Sequence, residues 1–223
     1  MASIAIIPAR SGSKRIPDKN IREFCGQPII KYSIDAARES GLFDRIIVST
    51  DSDRIGAKVA GMGATYYKRK HAEDEQPMKE AVAEVLFDSR GLYSHACVLY
   101  ACAPFITAAR LREGYDKLLE GGYHAVFPVW RGPDIERSLF MQDGRIRSRF
   151  PEHDQENNPG WPAAYYHCGA WFWLSVPLFL INETLVPDRS WGVVLDESEC
   201  QEIDTEADWR AAEAKFVGRG VTV

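Results

Sequence analysis

The chain has 223 residues, of which 45% are hydrophobic and 26% charged, and its formal net charge is −5. This length and composition suit one large domain with a sizeable core and exclude an intrinsically disordered chain. No apolar run approaches the roughly 18 residues that span a bilayer, and the N-terminus lacks a signal-peptide pattern, so we expect a cytoplasmic protein without a membrane partner.

The first predicted element is a short β-branched strand, residues 4–7, which ends at Pro8 and opens into a basic loop. Residues 10–22 contain five basic residues and one acid, a net charge of +4, so the remaining chain carries −9. A cationic pocket in an acidic protein indicates a small anionic ligand and argues against nucleic acid. Gly12, between Ser11 and Ser13, would let backbone N–H groups face a phosphate. We interpret this loop as a phosphate-binding loop, and the alternative is a solvated basic loop.

Strand-like and helix-like segments alternate through the first half of the chain, which predicts an α/β fold with a mostly parallel sheet covered on both faces. Helices are predicted over residues 28–40, from the capping residues 50–53 towards Gly61 and Gly63, over 77–90 and after Thr107, and strands over 45–49, 64–67, 96–100 and 124–129.

The alternation of strand-like and helix-like segments ends in the second half of the chain. Asp143-Gly144 between two short apolar runs predicts a β-hairpin over residues 140–146. The polar residues 151–162 predict a loop long enough to act as a lid or a subunit contact. An aromatic strand over residues 165–174 follows, and Thr205 begins the last helix with a capping box.

The five cysteines are Cys25, Cys97, Cys102, Cys168 and Cys200. They are scattered, odd in number and free of Cys-x-x-Cys pairs, which argues against a zinc site and against a secreted disulfide framework. We expect each to be a small buried hydrophobic residue.

Ligands of open parallel sheets gather at the carboxyl ends of the strands. The residues that follow predicted strands are residues 10–20, Asp51, Arg69 and residues 100–104, with Glu202 and Asp204 ending the last strand. The basic loop matches neither Gly-x-x-x-x-Gly-Lys-Ser/Thr nor Gly-x-Gly-x-x-Gly, which disfavours an ATPase or a dehydrogenase. Its side-chain cations suit a triphosphate whose charge rises during transfer.

Glu202 and Asp204 flank Ile203, so on an extended strand both carboxylates would point to one side. Two such oxygen ligands suit Mg²⁺ together with substrate phosphate oxygens, and the alternative is a solvent-facing acidic edge strand. His167 could hydrogen-bond a substrate or be a satisfied histidine in a packed strand. Trp171 and Trp173 share one face and are expected in the core or an interface, with a platform for a sugar as the alternative.

Residues 5–20, with the sequence Ala-Ile-Ile-Pro-Ala-Arg-Ser-Gly-Ser-Lys-Arg-Ile-Pro-Asp-Lys-Asn, resemble the opening motif of the CMP-acidic-sugar synthetases, the cytidylyltransferases that activate sialic-type sugars. The resemblance continues through residues 26–30, 48–52 and 202–209 and covers nearly the full length. Residues 99–105 and 165–169 look most like the pseudaminic acid cytidylyltransferase branch.

This resemblance implies a three-layer, Rossmann-like nucleotide-diphospho-sugar transferase fold in a single domain, residues 1–223. It places residues 131–161 as an inserted hairpin and loop region at a homodimer interface. The implied reaction is attack of the anomeric hydroxyl of an acidic nine-carbon sugar on the α-phosphate of CTP, which gives a CMP-sugar and pyrophosphate.

The same resemblance assigns roles to individual residues. Arg10, Lys19 and Asp204 would be catalytic, and Asp204 with Glu202 would hold Mg²⁺. The nucleotide-binding residues would be Arg10, Ser11, Gly12, Ser13, Lys14, Lys19, Asn20, Arg69 and Tyr100, and the sugar-binding residues Tyr165, Tyr166, His167 and Gly169.

Three positions depart from the family pattern. Glu202 stands in place of the first Asp of the usual Asp-x-Asp metal pair, His167 where Asp is expected, and Ala170 where Gln is expected. The departures leave open a legionaminic, sialic or octulosonic acid as the sugar, and also a nucleotide-binding protein without catalysis.

Overall fold

A computed structural model gives the structure of the protein and describes residues 1–70, 76–155 and 160–219. The strands are β1 (Ser3–Pro8), β2 (Glu23–Phe24), β3 (Gln27–Pro28), β4 (Arg45–Thr50), β5 (Thr65–Lys68), β6 (His95–Leu99), β7 (Ala125–Arg131), β8 (Leu139–Gln142), β9 (Arg145–Ser148), β10 (Tyr165–His167), β11 (Trp171–Ser175) and β12 (Ser190–Val194). The helices are α1 (Ile29–Ser40), α2 (Asp53–Val59), α3 (Met78–Asp88), α4 (Ala108–Leu119), α5 (Val176–Asn182) and α6 (Glu206–Gly218).

Eight of these strands form one twisted, mixed sheet. Strands β5, β4, β1 and β6 are adjacent and parallel, as the alternating pattern predicts. Strand β11 runs antiparallel between β6 and β7, β10 pairs with the second half of β7, and β12 is parallel to β7 on its other side. The carboxyl ends of β1, β4, β5 and β6 therefore lie at one edge of the sheet, where parallel sheets bind ligands.

Helices cover both faces of the sheet, so the expected three-layer architecture is confirmed. The alternating side chains of β1 divide between two apolar clusters: Ile4 and Ile6 pack with α3 and α5, whereas Ala5 and Ile7 pack with α1, α2 and α4. A strand that is apolar on both faces is typical of a buried parallel strand. Trp171 and Trp173 are buried, as predicted.

A third apolar cluster lies beside the sheet edge and supports the basic loop. It joins Ile16 from that loop to Ile203 and to Trp209 and Phe216 of α6. Ile203 is only 3% exposed. Burial of Ile16 and Ile203 in one cluster brings the two ends of the chain together at the sheet edge.

Local signals predicted several boundaries correctly. Gly41 ends α1 with φ 67°, Thr107 caps α4, and Thr205 and Asp208 form a reciprocal capping box at the start of α6. Strands β8 and β9 form the predicted hairpin, in which Asp143 and Gly144 have φ values of 49° and 74°.

Other predictions about elements are wrong. The single aromatic strand is interrupted at residues 168–170, where Gly169 has φ 57°, and is divided into β10 and β11. Glu202 and Asp204 do not end a strand but lie in an irregular segment before α6. Helix α5 and strand β12 were not predicted. Residues 156–159 of the loop predicted over 151–162 lie outside the described residues, as do residues 71–75.

The prediction that every cysteine is an isolated hydrophobic residue is also wrong, because Cys168 and Cys200 form a disulfide. The two residues are 32 positions apart in the chain, and only the tertiary fold brings their Cα atoms to 5.1 Å. Cys25, Cys97 and Cys102 are free. In the described parts of the chain, no helix has the length and apolar character needed to cross a membrane.

Candidate active site

A cavity of about 660 Å³ opens at the carboxyl ends of the parallel strands. It is lined by much of the predicted nucleotide-binding set, namely Arg10, Ser13, Lys14, Lys19, Asn20, Arg69 and Tyr100, together with Arg15, Cys102 and Asp204. The fold therefore brings the basic loop into one cavity with a carboxylate from the far end of the chain. This cavity is called the nucleotide cavity below.

Asn20 fixes the first residue of the basic loop. Its amide nitrogen donates to the carbonyl oxygen of Arg10 at 2.7 Å, and its amide oxygen accepts from the Cys102 thiol at 3.0 Å. Burial raises the pKa of Cys102 to about 12, so the thiol stays protonated and acts as a donor. The backbone of Arg10 is therefore held by a short chain of hydrogen bonds from the neighbouring strand end.

Asp51, which follows β4, holds the start of the loop. Its two carboxylate oxygens accept from the backbone N–H of Ser11 at 2.8 Å and from the Ser11 hydroxyl at 2.7 Å. Burial raises the pKa of Asp51, but the bonds from Ser11 and the charge of Arg69 outweigh burial and hold it below its usual value. Ser11 and Gly12 lie outside the lining of the nucleotide cavity.

Arg69 is a buried cation in the floor of the nucleotide cavity, with 8% of its surface exposed. Its guanidinium donates from Nε to the Ser49 hydroxyl at 3.2 Å and from Nη2 to the Ser49 carbonyl at 3.0 Å. Burial lowers its pKa, while Asp51 and Glu84 act in the opposite direction. Fixed by β4, this side chain presents a directed hydrogen-bond donor to a ligand.

Lys19 connects the basic loop with the segment that precedes α6. Its Nζ donates to the carbonyl oxygen of Ile203 at 2.7 Å and lies 3.3 Å from Oδ1 of Asp204. Arg15 makes a second ion pair with the same carboxylate oxygen at 3.1 Å. Two cations of the loop thus meet Asp204 at the mouth of the cavity.

Glu202 precedes the buried residue Ile203 in the chain, and Asp204 follows it. Burial, together with the like charges of Asp204 and Asp208, raises the pKa of Glu202. Repulsion between these carboxylates favours a bound cation, and a hard divalent ion needs one or two carboxylates besides phosphate oxygens. The pair fits Mg²⁺ chemically, although the described residues contain no group of three or more His, Cys, Asp or Glu side chains arranged to hold a metal.

A second cavity, of about 510 Å³, adjoins this acidic segment. It is lined by Trp130, Tyr166, His167, Cys168, Glu197, Cys200, Gln201, Glu202, Asp208 and Lys215. Of the predicted sugar-binding residues, Tyr166 and His167 line this second cavity, whereas Tyr165 is 51% exposed and lies outside its lining. A Cβ at Gly169 would lie 2.9 Å from Oε1 of Glu202, so glycine at this position leaves room for that carboxylate.

The ring of His167 lines the second cavity and packs against two aromatic rings. Its ring centroid is 5.1 Å from that of Phe127 and 4.6 Å from that of Phe172. Burial lowers its pKa, so the imidazole is neutral at pH 7. A neutral imidazole can either donate to or accept from a polar ligand.

Several residues at these cavities had no functional role predicted from the sequence. Cys102, Trp130 and Lys215 line the cavities, and Asp51 holds the loop. Asp51 had a signal, its place directly after a strand. Lys215 had none, because it lies on α6 and reaches the cavity only through packing, where Nζ donates to the carbonyl oxygens of Glu197 and Cys200 at 2.6 Å each.

Comparisons with known proteins agree with this geometry. Residues 4–138 match the cytidylyltransferase family model. The chain is 32% identical to the pseudaminic acid cytidylyltransferase of Campylobacter jejuni subsp. jejuni serotype O:2 over 97% of each chain. It is 28% identical to the CMP-N,N'-diacetyllegionaminic acid synthase of Legionella pneumophila over 96% of this chain and 95% of that protein.

The fold has a close structural counterpart at low identity. The structure of CMP:2-keto-3-deoxy-manno-octonic acid synthetase complexed with CTP superposes with a TM-score of 0.73 and 16% identity, covering 99% of this chain and 100% of the other. At that identity the superposition supports the fold alone. From the family match and the full-length relatives, the chain belongs to the cytidylyltransferase family and is a nucleotidyltransferase.

Proposed function

We propose that this enzyme transfers CMP from CTP to the anomeric hydroxyl of an acidic nine-carbon sugar, with pseudaminic acid as the preferred substrate. The observation that carries the proposal is that one short acidic segment, residues 202–204, contributes a carboxylate to each of two cavities. Asp204 lines the cavity that holds the basic loop, and Glu202 lines the neighbouring cavity. A triphosphate and an acceptor in these cavities would meet at the acidic pair.

The proposed reaction makes one phosphorus–oxygen bond and breaks another. The anomeric oxygen attacks the α-phosphorus of CTP and loses its proton, and the bond from that phosphorus to the bridging oxygen breaks, so pyrophosphate leaves with the electron pair. Negative charge grows on the phosphate oxygens during this transfer. Arg10 and Lys19 line the nucleotide cavity, and in this proposal they would stabilise that charge.

Glu202 and Asp204 are the residues that would hold Mg²⁺ in this proposal. The ion would neutralise phosphate charge and help to orient the triphosphate. Ile203 between them is buried, so the segment is anchored while Glu202 lines one cavity and Asp204 the other. The longer arm of Glu202 is accommodated against Gly169, where a side chain of any other residue would crowd it.

The second cavity provides aromatic and neutral polar groups for a sugar. Trp130 and Tyr166 pack with ring centroids 5.7 Å apart, and His167 stands beside them. Aromatic faces suit the C–H surface of a sugar, and the imidazole and phenol suit its hydroxyl or amide groups. The pseudaminic preference also rests on the 32% identity with the Campylobacter enzyme over nearly the full length.

We further propose that residues 131–161 contact a second copy of the chain, as in the expected homodimer. Leu139 and Met141 lie on one face of β8, and Met141 is paired with Ile146 of β9. These three side chains are 60%, 70% and 58% exposed. An apolar hairpin face of this kind favours burial in an interface, so Met141→Lys should shift the protein from dimer to monomer in sedimentation.

The experiment that tests the function measures pyrophosphate release from CTP and Mg²⁺ with a panel of pseudaminic, legionaminic, sialic and octulosonic acids. We expect the highest kcat/KM with pseudaminic acid. Turnover of another acid alone would refute the choice of sugar. Binding of CTP without pyrophosphate release on any acid would refute catalysis and favour a nucleotide-binding protein.

A further inference from the structure

We propose that Asp51 is a positioning residue for the nucleotide-binding loop, acting through Ser11 on the cations that bind the triphosphate. The inference rests on the proposed function and names a role beyond it. Asp51 lies outside the lining of both cavities, so it would act on the ligand through the residues that line the nucleotide cavity and not by direct contact.

The loop needs such a support because its sequence is short of glycine. Between Pro8 and Lys19 it contains only Gly12, and it carries five cations over residues 10–22. Loops that cradle phosphates in other folds rely on several glycines to orient backbone N–H groups. Here the shape is imposed by side chains instead: Asp51 holds Ser11, Asn20 holds the carbonyl of Arg10, and Lys19 holds the segment before α6.

Among these supports, the contact of Asp51 has the most directed geometry. Both of its oxygens are engaged by one residue, at 2.8 Å to the N–H and 2.7 Å to the hydroxyl of Ser11. Ala9, next to Arg10, donates its N–H to Ser49 at 2.8 Å, so the loop is tied at two points to the end of β4. Arg10 lies between these two ties and lines the nucleotide cavity.

The negative charge of Asp51 also compensates positive charge at Arg69. Arg69 and Arg10 repel each other, since the charge of Arg10 lowers the pKa of Arg69, whereas Asp51 raises it. Without an anion at residue 51, two guanidinium groups would face one cavity with less compensation. The carboxylate therefore allows both cations to point towards the same ligand.

An alternative role for Asp51 makes the opposite prediction. The Asp51 carboxylate could instead occupy the N–H and hydroxyl donors of Ser11 that the phosphates need. In that case its removal would free these donors and tighten CTP binding. A positioning role predicts weaker binding and slower turnover. A role confined to stability predicts a lower melting temperature with normal kinetics of the folded protein.

The test compares Asp51→Ala, Asp51→Asn and Asp51→Glu with the control Asp53→Ala. Asp53 is two residues further on, and its carboxylate contacts Tyr66 at 2.8 Å and Lys68 at 2.7 Å, away from the loop. We expect Asp51→Ala to lower kcat/KM for CTP about 10- to 100-fold, the usual range for a lost charged hydrogen bond. Part of this loss should appear in kcat, Asp51→Glu should restore part of it, and Asp53→Ala should match wild type.

A double-mutant cycle measures the coupling between Asp51 and Ser11. Ser11→Ala alone should cost less than Asp51→Ala, because the backbone N–H remains, and adding Ser11→Ala to Asp51→Ala should cost nothing further. Additive losses, tighter CTP binding by Asp51→Ala in calorimetry, or unchanged kinetics would each overturn the proposal. Wild-type protein that neither binds CTP nor releases pyrophosphate would instead refute the proposed function.

Discussion

Lys19 and Asp204 meet at the mouth of the nucleotide cavity, where Nζ of the lysine lies 3.3 Å from Oδ1 of the aspartate. The residues are 185 positions apart in the chain. Lys19 also donates to the backbone at Ile203, so it is attached to this segment independently of the carboxylate. A magnesium ion at Asp204 and a triphosphate at Lys19 could therefore share this junction without loss of the backbone contact.

Asp204→Ala tests the role of the carboxylate. We expect it to lower Mg²⁺-dependent turnover by about 100-fold or more, because one lost ligand leaves triphosphate charge uncompensated. The side chain of Asp204 is 48% exposed, so the free energy of unfolding should change by no more than about 0.5 kcal/mol. Steady-state kinetics over a magnesium series, with urea unfolding alongside, measures both effects. Asp188→Asn, an exposed acid before β12, is the control, and near-normal activity of Asp204→Ala would refute the metal assignment.

Arg10→Ala tests whether the loop stabilises the transition state. If the arginine follows charge that grows during transfer, kcat should fall about 100-fold while the KM for CTP changes much less. The measurement is kcat and KM for CTP at saturating sugar and magnesium, with Arg38→Ala as control. Arg38 pairs with Asp35 at 3.0 Å on α1 and does not line the nucleotide cavity. An effect confined to KM would mean that Arg10 contributes ground-state binding only.

His167 should make the stability of the protein depend on pH. Burial lowers its pKa in the folded state, so the unfolded chain takes up the proton first as the pH falls below about 6.5. The stability that this neutral histidine contributes is present above that pH and is lost as the pH falls further. Urea unfolding at pH 7.5 and pH 5.5 should therefore show a smaller loss of stability for His167→Asn than for wild type. Equal losses would show that this imidazole is not buried in its neutral form.

The disulfide between Cys168 and Cys200 ties the junction of β10 and β11 to the segment that carries Glu202. Thiol titration of denatured protein should detect three thiols without reductant and five with it, given the three free cysteines. A cross-link that closes a loop of this length stabilises a fold by about 3 to 4 kcal/mol in the chain-entropy model, so reduction should lower the unfolding midpoint. Because both cysteines line the second cavity, reduction should also raise the KM for the sugar more than that for CTP.

Cys25→Ser is the control for the disulfide. This variant should keep the reductant-dependent difference of two thiols and the same shift of the midpoint. Five accessible thiols in the unreduced wild-type protein would contradict the cross-link.

Much of the fold follows from local patterns in the sequence. Helices α1 and α4 each have a clear apolar stripe; α1 ends at Gly41, and α4 begins after Thr107. The parallel strands are short β-branched runs. The rule that ligands gather at the carboxyl ends of parallel strands correctly brought Arg10, Arg69 and Tyr100 to one cavity. These predictions succeeded because each depends on neighbouring residues or on a general property of parallel sheets.

The remaining features depend on contacts between distant residues. The period of the aromatic run does not reveal the break at Gly169, where φ is 57° and the backbone packs closely against Glu202, a residue distant in the chain. The disulfide likewise depends on two segments that meet only in the folded chain. Ser11 was expected to face the phosphates, whereas both of its donors are engaged by Asp51 across the loop. Glu202 and Asp204 flank Ile203 in the sequence, but the isoleucine is buried in an irregular segment and not in a strand.

The most direct test of the central claim is ³¹P NMR of the protein with CTP, Mg²⁺ and pseudaminic acid. We predict that the α-phosphorus signal of CTP moves into a phosphodiester bonded to the sugar, with pyrophosphate appearing in equal amount. Release of free CMP, release of inorganic phosphate with CDP, or an unchanged triphosphate would contradict the transfer of CMP to the anomeric oxygen.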